Sequence, residues 1–369
     1  MKIRAYNKTY NAYRGKSQWK KWLLIVLAAI VALVLLLTLA GWLLFRHELS
    51  ITSTIKKLDT PTPAYFMEVK GDYYFDEFLA SGGASSDGMV SSFLSKKISK
   101  GFYEAPVGSY REGCSVLSAW GPDGHLWGRN YDWSGTVPII VRHIPEDGYA
   151  SLSTCDFSHI TMSSKTYPDG MVNKMLAIAA LYVPLDGVNE MGLCVADLEV
   201  NEGGMPDPDT DKPDLTVTTA IRLLLNKAST VDQALELLKQ YDIHPSGGIS
   251  HHIAISDSGG KSVSVEFTED GFTAVNTDVV TNFNLANGNT AAGGEGAEQR
   301  YNSLMDFFLS SQSATAERVK NAMSHVAQTS GTQATQWSMV FNQSEPFVTW
   351  YFMGEFERGI TFKFLPETD

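Results

Sequence analysis

The chain has 369 residues and a net charge of −12, with 29 Lys and Arg against 41 Asp and Glu. Seven positive charges (Lys2, Arg4, Lys8, Arg14, Lys16, Lys20 and Lys21) precede residue 22 with no acidic residue among them, which leaves −19 for the remainder. An acidic body lacks the basic surface that phosphate binding requires, which excludes nucleic acid as the partner, and the length suits one large domain with appendages or two domains.

Residues 22–45 read WLLIVLAAIVALVLLLTLAGWLLF, without a charge. A membrane-spanning helix needs about 20 apolar residues, whereas the apolar region of a signal peptide runs to about 7–15. Trp22 and Trp42 lie near the ends, where indoles favour the membrane–water interface. The basic residues 1–21 then form a cytoplasmic tail, 22–45 a transmembrane helix, and everything after Phe45 faces outward. The expectation is a single-pass plasma-membrane protein. A cleaved signal is disfavoured, because no small-x-small site followed by polar sequence is present.

Residues 46–113 read as an extracytoplasmic stalk and propeptide. Thr60-Pro61-Thr62-Pro63 has the composition of a stiff spacer, Ser81–Ser86 (SGGASS) that of a flexible loop, and Ser92–Tyr103 suits a helix. From Cys114 onward short apolar segments alternate with Gly-, Asp- and Asn-rich turns. Cys114–Trp120 and His125–Tyr131 read as strands joined by Gly121-Pro122-Asp123-Gly124. Met175–Tyr182 and Leu193–Val200 read as strands around a turn at Asp186-Gly187-Val188-Asn189. Leu215–Lys227 and Thr230–Tyr241 read as helices, the second capped by Ser229 or Thr230. His252–Ser256 and Ser262–Phe267 form a hairpin across Asp257–Gly260; Gln299–Leu309 and Ala314–Val326 are helical, and Trp337–Asn342 and Phe347–Phe352 close the chain as a hairpin. Strands, then helices, then strands indicate α+β layers rather than a parallel α/β sheet.

The chemistry concentrates in Gly113-Cys114-Ser115, followed by Gly128-Arg129-Asn130-Tyr131-Asp132-Trp133 on the return strand. One hairpin brings Cys114 and Asp132 to the same rim. A thiolate needs a base or a lowered pKa, and a free α-amine of pKa about 8 is such a base on the same residue. Cutting Gly113–Cys114 would supply it; Asp132 would hold the amine and Arg129 would steady the thiolate. On its own this pair of stretches reads rather as a buried strand cysteine and a surface ion pair. Three cysteines are too few for a disulfide framework. Cys155 and Cys194 read as small buried residues, and sequence alone leaves their pairing open.

GCSVLSAWGPDGHLWGRNYDWS resembles the start of mature choloylglycine hydrolases, the family of bile salt hydrolases and penicillin V acylases. The resemblance continues through Asp186–Val200 (DGVNEMGLCVADLEV), residues 252–268, Val279–Asn284 (VVTNFN), Glu298-Gln299-Arg300-Tyr301 and the hairpin near Gln336-Trp337-Ser338, and so spans a catalytic domain of 114–369. It implies a four-layer αββα N-terminal-nucleophile hydrolase sandwich and hydrolysis of linear, non-peptide amides. It also implies residue roles: Cys114 as nucleophile, Arg129 and Asp132 beside it, Asn282 as oxyanion donor and Arg300 as a second active-site arginine. Two departures stand out. Glu199 occupies a position where many members have an oxyanion-hole Asn, and a carboxylate there repels an oxyanion unless protonated or turned away. The 113 residues before the nucleophile resemble the propeptides of penicillin acyltransferases and acid-ceramidase-like amidases, and imply self-cleavage at Gly113–Cys114.

No GxSxG elbow, HExxH, CxxC or P-loop occurs, so no cofactor is implied. His251-His252 points two imidazoles to opposite faces of a strand, one buried and one exposed, rather than to a metal. The partners expected are a small-molecule amide and the membrane, with a homo-oligomer left open. Two rival functions remain: an acyltransferase, separated from a hydrolase by product analysis with and without an amine acceptor, and a non-catalytic surface binding protein, in which Gly113–Cys114 stays intact.

Overall fold

The computed structural model describes residues 2–106, 113–200, 204–286, 288, 295–310, 314–329 and 333–366. The chain divides into two units, Met1–Ser50 and Ile51–Asp369. The first consists of helix α1 (Lys2–Ser53), apart from its last turn. Within α1, Gln18–Ser53 is long and apolar enough to cross a membrane, with none of its apolar window buried. A continuous helix satisfies every backbone group internally, as hydrocarbon surroundings require.

Two facing sheets form the middle of the second unit. The first runs, in spatial order, β1 (Lys56–Lys57), β2 (Tyr65–Lys70), β5 (Pro138–Ile144), β6 (Ser151–Asp156), β7 (Asp186–Asn189), β8 (Cys194–Val200), β11 (Ser250–Ser256), β12 (Ser262–Thr268) and β13 (Gly271–Asn276). The second runs β14 (Val279–Val280), β3 (Gly113–Gly121), β4 (Gly124–Trp133), β15 (Ala334–Asn342), β16 (Phe347–Phe352) and β17 (Ile360–Lys363). A short parallel pair, β9 (Asp214–Thr216) and β10 (Asp242–His244), lies apart from both.

Strand alternation assigns each residue to a layer. Between the sheets, Cys114, Val116, Trp127 and Tyr131 pack against Ile140, Leu152, Val188, Ala196 and Leu198. The other face of the nine-stranded sheet is covered by helices, among them α2 (Phe75–Ala80), α3 (Asp87–Ile98), α6 (Val217–Lys227) and α7 (Val231–Leu238). The outer face of the six-stranded sheet, through Leu117, Ala119 and Leu126, meets Leu304 of α8 (Glu295–Ser310) and Val319 and Met323 of α9 (Ala316–His325). This is the αββα sandwich expected from the sequence.

Several local expectations are corrected. Thr60–Pro63 is not a spacer but the bend of a β1–β2 hairpin, closed by Leu58 N–H donating to Ala64 O at 2.9 Å. Within the described residues 51–106, the segment before Gly113 is built into the sandwich. Strand β2 pairs in parallel with β5, and Phe75 and Phe78 are fully buried against Tyr182. Met175–Tyr182 is helical, α5 (Gly170–Ala177) running into a 3-10 turn at Ile178–Leu181. An apolar run without alternation suits a buried helix as well as a strand. Asp186–Asn189 is strand β7; the reversal falls three residues later, at Gly192 with φ 85°.

Both His251 and His252 are buried, because β11 lies in a sheet covered on both faces and alternation leaves no exposed side. Cys155 and Cys194 are buried thiols in different layers, under the helices and between the sheets respectively. They face opposite sides of one sheet, so no disulfide can join them.

Candidate active site

The site begins with the register of β3 and β4: Gly113 opposite Asp132, Cys114 opposite Tyr131, Val116 opposite Arg129. The Gly121–Gly124 turn that sets it contains Gly124 at φ 110°, a conformation glycine adopts without strain. Cys114 and Arg129 consequently face the opposite sheet, while Gly113 and Asp132 face the helical layer. Cys114 is fully buried.

Strand β14 pairs with β3 through Val279↔Leu117 and Val280↔Val116, which carries Asn282 to the nucleophile. Asn282 Oδ1 accepts the Cys114 N–H at 2.7 Å and Arg300 Nη2 at 2.7 Å, and its Nδ2 donates to Glu199 O at 2.9 Å. Two donors on one side and a carbonyl on the other fix which way the amide points. Arg300 reaches in from α8. Its Nε donates to Ser115 Oγ at 2.9 Å, its Nη2 to Cys114 O at 3.3 Å, and Nε lies 4.0 Å from Asp132 Oδ2. The loop bearing Asn282 is held by Glu266, whose two oxygens accept Leu285 N–H at 2.6 Å and Ala286 N–H at 2.9 Å. Glu199 thus joins the site through its carbonyl, and its side chain is buried.

Asp132 is fully buried. It accepts Thr335 Oγ1–H at 2.5 Å and Gln328 Nε2–H at 2.8 Å. Burial pushes its carboxyl above the usual range, against the pull of Arg300, these two donors and Arg129. A bulge between Thr335 and Trp337 allows both contacts on β15: Thr335 faces Asp132 while Trp337 sits opposite Tyr131 and stacks on it at 3.9 Å.

Arg129 lies three residues before Asp132 on β4. Its Nε pairs with Asp186 at 3.1 Å, Nη1 donates to Asn130 O at 2.6 Å, and Nη2 to Asp197 O at 3.0 Å. Trp337 Nε1 donates to the same Asp186 oxygen at 2.8 Å. Asp197 also bonds His251 Nδ1 at 2.8 Å.

The hairpin, Asn282 and Arg300 therefore converge on Cys114 and its two chain neighbours. Sequence reading missed Ser115, Asp186, Glu266, Gln328 and Thr335. A polar residue on an apolar strand gives no sign of what it touches, and Gln328 comes from the segment after α9, which carries no motif. A recess lined by Val90, Leu94, Ile160 and Leu185 together with Asp87 and His159 lies mainly in the helical layer, whereas Cys114 lies between the sheets. Leu185 O accepts the N–H of Asp197, the residue whose carbonyl holds Arg129. Among the described residues no group of three or more His, Cys, Asp or Glu is placed to hold a metal ion.

Residues 114–285 match the model of the family described as linear amide C–N hydrolases, choloylglycine hydrolase family, so that segment carries the pattern seen in the motifs. Among solved structures, a variant of conjugated bile acid hydrolase from Clostridium perfringens is similar with a TM-score of 0.51 at 18% identity, over 68% of this chain and 92% of its own. Penicillin V acylase from Agrobacterium tumefaciens gives a TM-score of 0.47 at 17% identity, over 65% of this chain and 83% of its own. No curated protein matches the chain. The first of these likenesses is one of fold, and that fold is the N-terminal-nucleophile hydrolase sandwich.

Proposed function

We propose that the chain is a membrane-anchored amidase that cuts itself between Gly113 and Cys114 and then uses the exposed Cys114 to hydrolyse linear amides. The observation that carries this reading is the clamp on a single residue. The N–H of Cys114 is held by Asn282, its carbonyl by Arg300, and the residue before it lies against Asp132. A cysteine serving only to pack needs none of these.

In the first reaction Cys114 Sγ attacks the Gly113 carbonyl carbon. The thiol proton passes to the Cys114 nitrogen, the C–N bond breaks, and Gly113 becomes a thioester on Sγ. Water then releases the Gly113 carboxylate and restores the thiol. In the second reaction the new α-amine takes the thiol proton and Sγ attacks the substrate carbonyl. The oxyanion is held by the second Nδ2 hydrogen of Asn282 and a backbone N–H. The ammonium protonates the leaving amine, and water frees the acid from the thioester.

The membrane anchor is α1, with the basic tail in the cytoplasm and the catalytic unit outside. The test is a panel of chromogenic amides of increasing acyl length, given to wild type and to Cys114→Ala. Turnover by wild type and none by the variant is expected. Hydrolysis by Cys114→Ala would overturn the mechanism.

A further inference from the structure

Asp132 lies opposite Gly113, the residue before the cut, whose carbonyl carbon is bonded to the nitrogen that the cut releases. Before cleavage that nitrogen is a neutral amide whose hydrogen already points at Asn282, so it cannot hold the carboxylate. Two neutral donors do so instead, with the Arg300 guanidinium 4.0 Å from Oδ2. Thr335 Oγ1 occupies one oxygen at 2.5 Å and Gln328 Nε2 the other at 2.8 Å. These donors are themselves coupled: Gln328 N–H donates to Thr335 Oγ1 at 2.8 Å, and Thr335 N–H to Gln328 O at 2.8 Å. The Gln328 amide also borders Gly113. A Cβ at residue 113 would lie 3.2 Å from Asp132 Cβ, 3.3 Å from Gln328 Nε2 and 3.5 Å from Gln333 Oε1. A side chain at 113 would thus press on Asp132 and on the amide that orients it, which would have to give by a few tenths of an ångström.

We infer that Gln328 is a positioning residue for self-cleavage, which aims Asp132 at the scissile bond before the Cys114 amine exists. This rests on the self-cleavage reading above. The physical asymmetry lies in what holds the carboxylate. Once the bond is cut, the freed amine, charged when protonated, offers Asp132 a charge-assisted hydrogen bond roughly twice as strong as a neutral one. The carboxylate is then held by the product of the reaction, and the amide of Gln328 matters less. Gln328 therefore weighs on the first reaction more than on the second. A residue that only supported the local fold would weigh on both alike.

The test uses the full chain with Gln328→Ala and the nearly isosteric Gln328→Met, which keeps the volume and removes the donor. Two rates are measured: appearance of the fragment beginning at Cys114, and amide turnover per cleaved molecule. Cleavage is expected to slow by about 10²-fold in both variants, the usual cost of misplacing a reacting group, while turnover per cleaved molecule falls by a much smaller factor. Cleavage at the wild-type rate in Gln328→Met, or an equal fall in both rates, would overturn the assignment. Wild-type chain that turns over amides with Gly113–Cys114 intact would instead defeat the self-cleavage reading.

Discussion

Asn282 and Arg129 sit a few residues apart in space, yet changing them should fail in different ways. Asn282 contacts the nucleophile's own nitrogen, and removing one oxyanion donor costs about 10²–10³ in rate. Asn282→Ala should therefore lower turnover per cleaved molecule by that factor with little change in KM, measured on the cleaved fraction. Arg129 is fully buried and paired with buried Asp186. Arg129→Met leaves that carboxylate without its cation, and breaking a buried pair from one side costs about 3–5 kcal/mol. Denaturant unfolding should show this loss even in a Cys114→Ala background, where no chemistry takes place. A change below about 1 kcal/mol would mean that Asp186 is neutral in the fold.

At the scale of elements, His244 of β10 shows how a loop is tied down. Its Nδ1 meets Asp207 at 2.6 Å and its Nε2 meets Asp214 at 2.9 Å. Burial disfavours its charge, but the two carboxylates outweigh burial and raise its pKa above the ordinary value. A raised histidine pKa stabilises fully below about pH 6.5 and loses that contribution as pH rises through the folded pKa. Residues 204–213 should then become more open to proteolysis as pH climbs past neutrality, and His244→Gln should open them at every pH. The contrast with the β3–β4 hairpin bears on what sequence conveys. Cys114, Arg129 and Asp132 were legible because a two-strand register converts spacing into position. His244 and its aspartates meet through a parallel pair of three-residue strands, β9 and β10, and nothing in such short segments announces their partner. Met175–Tyr182 misled for a related reason: all four residues of Ile178–Leu181 are buried, so no periodicity survives to separate strand from helix. The segment before Gly113 misled through composition, since a Thr-Pro repeat marks a tight bend as readily as a spacer.

For the molecule as a whole, the described residues of 51–106 supply strands, helices and buried aromatics to the same unit as Cys114. Cutting one bond leaves those contacts in place. In mild detergent, the fragment ending at Gly113 should co-elute with 114–369 on size exclusion, and separate only on denaturation. Elution of 114–369 alone would contradict this. Two buried imidazoles weaken the fold in acid. Burial lowers His143 to about 3 and His252 to about 4. Between those values and about 6.5 the unfolded imidazole binds a proton that the folded one refuses. Their contribution to stability, followed by thermal unfolding of Cys114→Ala, should be full above about pH 6.5 and decline as pH falls toward 4.

The central claim concerns the chemical state of one nitrogen, and intact mass with N-terminal sequencing of purified, active protein reads it directly. The account predicts two chains in equal amount, one of them beginning with an unblocked Cys114, and a single full-length chain for Cys114→Ala. Active protein in which Cys114 is still joined to Gly113 would contradict it.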